Sequence, residues 1–326
     1  MTKDQTVELS VVIPVYNRER SVRATIDSVL ACGVEAEIVV VDDGSTDGTV
    51  AAVRSYGARV KLLEQPNAGP AGARNNGFKN STGSIVAFLD SDDLWLPGVV
   101  AECLGFLRTH PEIDVLASEA LFGNATNGYQ PVTHRLGFPA LMTDPIAPGY
   151  YRMPRSPFVI AMMERMQVFL GAVMIRRSAL PEVPFDPALF GGEDYELCLR
   201  LAATKAIAFY DKPLARYEKH EGGISNNSDR MAREFALAMR SMVRHPEMLS
   251  RHEWRFARRQ YAQQAYWHAY RAYDKGDYRE ARRRFAAALA EGRFRMRAAL
   301  FWLACCMPGP LLRSLRGLKH RVGGGP

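Results

Sequence analysis

Cysteine is scarce in this sequence, and its placement excludes more than its number does. The 326 residues hold five, Cys32, Cys103, Cys198, Cys305 and Cys306. They show neither the spacing of a disulfide framework nor that of a zinc site. Each stands among apolar neighbours, as buried thiols of a reducing compartment do. Long hydrophobic runs are missing too, since none reaches the roughly 18 residues of a spanning helix. The polar start, Met1 to Ser10, carries no signal-peptide pattern, so a cytoplasmic chain is expected. Glycine is absent from the turn after the first apolar run, Tyr16-Asn17-Arg18-Glu19. A nucleotidyltransferase would carry a Gly-rich, Lys- or Arg-bearing loop there to cradle phosphates, so that class is disfavoured.

Acidic charge is depleted in the tail. Residues 226–326 carry 21 Lys+Arg against 8 Asp+Glu, whereas residues 1–225 carry 21 against 27, so the net charge of +7 hides a division. Nucleic-acid binding is therefore not a property of the whole chain, and the tail is a separate segment with its own partner. A boundary near residue 225 follows, with residues 1–225 as one domain and 226–326 as a basic helical extension. The hydrophobic share of 47% and charged share of 24% are those of an ordinary folded protein.

Strand and helix signals alternate through the first part. Glu8–Tyr16, Ala36–Val41, Val60–Leu63 and Ile85–Leu89 read as strands. Between them, Ser21 caps a helix with Val22, Ile26, Val29 and Leu30 on one face, Asp47 caps Thr49–Tyr56, and Ala73–Lys79 forms a third helix. The order predicts an α/β fold with a mainly parallel sheet, helices on both faces and little room for hairpins. Residues 122–163 dissolve into Gly, Pro, Tyr and Met and read as a long loop, with Tyr129, Tyr150, Tyr151 and Phe158 as an acceptor wall or lid. Val168–Ile175 restores a strand, Tyr195–Ala203 a helix, and Ile207–Tyr210 with Leu214–Tyr217 two short strands.

The carboxylates gather where these strands end. In Ala87-Phe-Leu-Asp-Ser-Asp-Asp93, Asp90 and Asp92 stand at i and i+2 and project the same way from a strand end. Open α/β sheets bind ligands at that edge, and paired hard oxygens suit Mg²⁺ or Mn²⁺ on a phosphorylated substrate. The plainer reading of this stretch is a helix cap, with Asp93 opening a helix from Leu94. Trp95 either stacks on a ligand ring or packs beneath the loop. Asp42/Asp43, Arg74 and Glu193/Asp194 occupy further strand-end loops.

IPVYNR (13–18), VVVDDGSTDGT (39–49), NAGPAGARNNG (67–77), AFLDSDD (87–93) and GGEDYELCLR (191–200) together resemble the motif series of glycosyltransferase family 2. The resemblance covers about residues 8–225 in order and spacing, and implies a GT-A fold and inverting transfer from a nucleotide-sugar donor, UDP-linked by expectation. It further implies that Asp42 and Asp43 face the base and ribose, that Arg74 meets the base or diphosphate, and that Pro14, Tyr16 and Ser91 belong to the donor site. By the same resemblance Asp92 holds a divalent ion, Asp90 reaches the ribose or a metal-bound water, and His220 in RYEKHEGGIS is a metal or phosphate contact. Asp194 is the expected general base, with Glu193 the alternative. The implied acceptor is a hydroxyl of a polysaccharide or lipid-linked saccharide. A non-catalytic nucleotide-sugar-binding scaffold stands as the rival.

The tail lies outside the resemblance. Tyr266–Leu289 reads as one helical hairpin turning at Lys275-Gly276-Asp277, a single repeat and not a solenoid. Residues 293–321 set a ten-residue apolar core, with Phe301 and Trp302, between arginines. That pattern fits an interfacial helix on an anionic membrane surface at the inner face of the cytoplasmic membrane, or else a helix that packs Leu300, Trp302 and Leu303 on the rest of the protein.

Overall fold

A computed structural model describes residues 7–124, 126–132, 137–165, 168–189, 191–218, 228–290 and 295–307. The chain divides into two compact units, Met1–Ser228 and Asp229–Pro326.

The first unit is built on an eleven-stranded sheet. Four strands, β1 (Leu9–Val15), β2 (Ala36–Asp42), β3 (Lys61–Glu64) and β4 (Ile85–Phe88), lie in the order β3-β2-β1-β4 and run parallel. All seven residues of β1 are buried, as in a strand covered on both faces. Val11, Ile13 and Val15 pack with Val22, Ile26 and Val29 of α1 (Val22–Leu30). On the other face Val39 and Val41 pack with Ala73 of the third helix. After β2 comes α2 (Thr49–Arg54), and that third helix is α3 (Gly69–Lys79). It starts four residues before the pattern suggested. Pro70 in its first turn costs little, because the missing N–H has no helical partner there anyway. Ser21 sits at the N-cap of α1 without a side-chain cap bond, whereas Asp47 accepts the Thr49 N–H at 3.0 Å.

The remaining strands of the unit are β5 (Asp93–Trp95), β6 (Val115–Asn124), β7 (Gly128–Pro131), β8 (Asp144–Ala147), β9 (Tyr150–Arg152), β10 (Val173–Arg176) and β11 (Ile207–Glu218). Beyond β4 the sheet continues β10-β6-β11-β9-β8, with β6 and β11 parallel and β10 antiparallel to both β4 and β6. Helices α4 (Val99–Thr109), α5 (Arg155–Arg165) and α6 (Glu193–Thr204) complete the unit. The two closing strands form one strand, whose register shifts on either side of Pro213, a residue without a ladder donor.

Two expectations are corrected, and the structure takes one side of the Trp95 alternative. Residues 122–163 are no bare loop: β6 and β7 pair, β8 and β9 pair, and α5 follows. Within this stretch Tyr150 stacks between Phe106 and Tyr210 at 4.1 and 3.9 Å, and Phe158 is 1% exposed, so both serve the core. Asp93 opens β5, not a helix; its strand pairs antiparallel with Ala215–Tyr217. Trp95 is buried and donates its indole N–H to the Gly171 carbonyl at 2.8 Å, the packing alternative.

The second unit contains α7 (Ser228–Arg244), α8 (Arg251–Asp274), α9 (Tyr278–Ala290) and α10 (Arg295–Ala304). Ser250 and Glu253 form a capping box that starts α8. Gly276, at φ +86°, ends the hairpin turn, where the Asp277 N–H reaches the Ala272 carbonyl and Asp277 Oδ1 then accepts the Glu280 N–H. No helix among the described residues is long and apolar enough to cross a membrane.

Gly77 lets α3 approach the sheet, since a Cβ there would collide with Val12 and touch Val41. Gly77→Ala should lower unfolding free energy by about 1–3 kcal/mol through overpacking, read by urea denaturation. An unchanged midpoint would show that α3 is not held this close.

Candidate active site

Strand register brings the loops together. Val15 lies opposite Asp42 and Val12 opposite Phe88, so β1, β2 and β4 end at one edge. There the Asp43 N–H donates to the Val15 carbonyl at 2.8 Å and the Leu89 N–H to Val12 at 3.0 Å. Pro14 is buried within β1, while Tyr16, one residue past its end, is 47% exposed. Asn17 takes a left-handed φ of +51°, donates its N–H to Ser45 Oγ at 2.9 Å and accepts the Thr46 N–H at 2.8 Å. The first two loops are thus bolted together.

Asp42 and Asp43 are both buried but differ in occupation. Asp43 Oδ1 accepts from Gln65 Nε2 and the Ala68 N–H, and its Oδ2 accepts from the Gly69 N–H at 2.9 Å. It therefore caps the start of α3 from 26 residues upstream. Asp42 Oδ2 accepts from Gly44 and Ser45, whereas Oδ1 is buried with no partner. A buried acceptor left open in this way suits a ligand N–H or hydroxyl.

Arg74 ties the site into one piece. The side chain is 4% exposed; Nη2 donates to Asp90 Oδ1 and Nη1 to Glu193 Oε1, both at 2.6 Å. Its guanidinium lies 5.5 Å from the Phe185 ring. Burial alone would lower its pKa, yet Asp90, Glu193 and Asp194 outweigh that and raise it. Both forked ends are committed to protein carboxylates, so Arg74 orders the site from within, and only its buried Nε has no partner.

Gly191 and Gly192 precede α6 with φ of +112° and +72°, the left-handed turn that swings the helix start toward Arg74. Their successors part company. Glu193 is 4% exposed and gives Oε1 to Arg74, with Oε2 buried and open. Asp194 is half-buried and accepts the Tyr195 N–H at 2.7 Å. Burial and the neighbouring Glu193 and Asp90 charges push Asp194 up to about 6, against the pull of Arg74.

Asp90 keeps 43% of its side chain exposed, and Ser91 is buried beside it. Asp92 is 29% exposed and lies 3.5 Å from Arg18 Nε. Arg18, in the loop after β1, stands in the IPVYNR motif but is not singled out by the sequence as a site residue; its basic charge two residues beyond Tyr16 is the available signal. Among the described residues no three His, Cys, Asp or Glu side chains converge as a complete metal site. Asp90 and Asp92 nevertheless fit Mg²⁺ or Mn²⁺ of the kind completed by substrate phosphates, where one or two carboxylates suffice. His220 lies outside the described residues.

Residues 10–176 match the profile described as Glycosyl transferase family 2. The chain is 30% identical over 212 residues to an uncharacterized glycosyltransferase of Rickettsia conorii, covering 64% of this chain and 32% of that one. It thus spans about a third of that relative's length. Among solved structures, S. aureus TarS 1-349 in complex with UDP-GlcNAc aligns with a TM-score of 0.62 at 19% identity, over 95% of this chain and 87% of that one. The Pyrobaculum calidifontis mannosyltransferase PcManGT, in complex with GDP-Man and Mn²⁺, aligns at 0.55 and 18% identity, over 97% and 85%. At such identities the structural likeness carries the fold, which is of GT-A type.

Removing one partner of the Arg74 pair leaves a buried charge uncompensated. Arg74→Ala should destabilise by about 3–5 kcal/mol, and Arg74→Met/Glu193→Gln by clearly less, both read by chemical denaturation. A double variant as unstable as the single one would contradict the pairing.

Proposed function

The chain belongs to glycosyl transferase family 2, and from that premise we propose that it is an inverting glycosyltransferase that uses a nucleotide-diphosphate sugar, UDP-linked, and an alcohol acceptor. The observation that carries this reading is the division between adjacent carboxylates at the start of α6. Arg74 holds Glu193 in a buried ion pair, while Asp194 is pushed up to about 6 beside it. A base of that pKa is largely ionised at neutral pH yet still basic enough to accept a proton.

In this mechanism Asp194 takes the proton from the acceptor hydroxyl as its oxygen attacks the sugar's anomeric carbon. The bond to the diphosphate oxygen breaks on the opposite face, and the nucleoside diphosphate leaves with the electron pair. Glu193 stays with Arg74 and does not exchange the proton. Asp42, through its open Oδ1, receives the base or ribose, with Pro14, Tyr16 and Ser91 lining the donor side, while Asp43 holds the start of α3 in place. Asp92 and Asp90 would hold Mn²⁺ or Mg²⁺, which when bound neutralises charge on the departing diphosphate. On the same reading residues 1–225 are the catalytic domain. The acceptor is a polysaccharide or lipid-linked saccharide, met at the cytoplasmic face of an anionic membrane through the extension 226–326.

Asp194→Asn should cut turnover across a UDP-sugar panel by about 10²–10⁴-fold while Mn²⁺-dependent UDP binding by calorimetry persists. Asp92→Ala should weaken that binding itself. Because the base works only when ionised, wild-type kcat/KM should fall as pH drops through about 6. Comparable turnover by Asp194→Asn would remove this residue from the base role.

A further inference from the structure

The second unit presents an apolar stripe. On its inner side α10 supplies Ala298, Phe301 and Trp302, and Cys305 follows from just past its end, to a cluster with Tyr266, Tyr273 and Phe285. Phe301 stacks on Phe285 at 5.4 Å and meets Tyr273 at 5.2 Å. The two aromatic residues expected at an interface are thus used inside the unit. The outer side carries Met296, Leu300 and Leu303 at 82%, 67% and 53% exposure, with Met307 at 40% just past the helix end. The spacing of four and three residues sets Met296, Leu300 and Leu303 on one face of α10, and Met307 follows the helix end. Four of the eight exposed large hydrophobic residues found among the described residues fall on this stripe, which scattered surface apolarity does not produce.

Charge selects the occupant. From residue 292 to the end there are seven Lys+Arg and no Asp or Glu, and Arg297 is exposed within α10 itself. A second copy of the same surface would set this positive charge against itself, and nucleic acid offers no apolar layer for leucines. A bilayer rich in anionic headgroups offers both. We propose that Met296, Leu300, Leu303 and Met307 insert at the headgroup–acyl boundary of an anionic membrane while exposed Arg297 and the basic residues that flank α10 in sequence meet lipid phosphates. A ten-residue helix is about 15 Å long, so α10 lies in the interface and does not cross it. This contact rests on the proposed function only for its purpose, access to a lipid-linked acceptor; lipid binding itself needs neither donor nor acceptor.

Flotation of the full-length chain with phosphatidylcholine vesicles, with and without phosphatidylserine, tests it. Binding is expected with phosphatidylserine, weaker in high salt, and reduced roughly tenfold or more by Leu300→Glu/Leu303→Glu, since each exchange removes buried CH₂ groups. Both positions are exposed, so the variant should keep the wild-type melting temperature and UDP-sugar turnover. Absence of flotation, or flotation that the double exchange leaves intact, would overturn the assignment. So would a full-length dimer that the exchange converts to monomer without any vesicle binding, which would make a second copy the occupant. Flotation without turnover would leave the stripe standing and count against the glycosyltransferase reading instead.

Discussion

A single buried guanidinium holds the site together. Arg74 is nearly inaccessible to water and would be untenable without compensation, which Asp90 and Glu193 supply from 16 and 119 residues away. Three elements are fixed by that need: α3, the loop after β4, and the start of α6. Each arrives by its own local chemistry. Gly77 lets α3 lie against β1 and β2, Asp43 caps its first turn, and the left-handed pair Gly191-Gly192 turns the chain into α6.

The clamp also sorts the acidic groups. Six carboxylates near one edge, Asp42, Asp43, Asp90, Asp92, Glu193 and Asp194, repel one another, and Arg74 neutralises two of them selectively, Asp90 and Glu193. Glu193 is paired and withdrawn. Asp194, next to it, bears the residual repulsion and the desolvation, and its proton affinity rises. Ionised Asp194 therefore costs stability above about pH 6, and the cost disappears as pH falls toward the unfolded value near 4. Such strain at a site is the common trade of stability for activity. Asp92 Oδ2 lies 3.5 Å from Arg18 Nε and Asp90 Oδ1 is held by Arg74, so both carboxylates already carry a cationic neighbour before any metal binds.

Much of the architecture was legible in the residues. The parallel strands β1 to β4 and α1 stand where apolar runs and helical spacing put them, and the hairpin turn at Gly276 is where the break in pattern lay. The loops that carry Asp42, Asp43, Asp90, Asp92, Glu193 and Asp194 do meet around one sheet edge or through Arg74. What could not be read depends on contacts between distant positions. Asp43 reads as a ligand acceptor, and only the fold reveals that its oxygens cap α3. Arg74 reads as a phosphate contact, because a sequence does not show that Glu193 will lie 2.6 Å away. Asp93 has the composition of a helix cap, but pairing with β11 overrides that local preference. Residues 122–163 lack periodicity because their strands are only three or four residues long beyond β6, too short to register as a pattern.

The central claim is that Arg74 divides the labour of two adjacent carboxylates, and carboxyl-carbon NMR titration of the full chain with labelled Asp and Glu measures it without any substrate. Asp194 is expected to titrate near pH 6 in the wild type and to move to lower pH in Glu193→Gln, where the neighbouring negative charge is gone. An Asp194 midpoint near the ordinary value of about 4 in both proteins would contradict it.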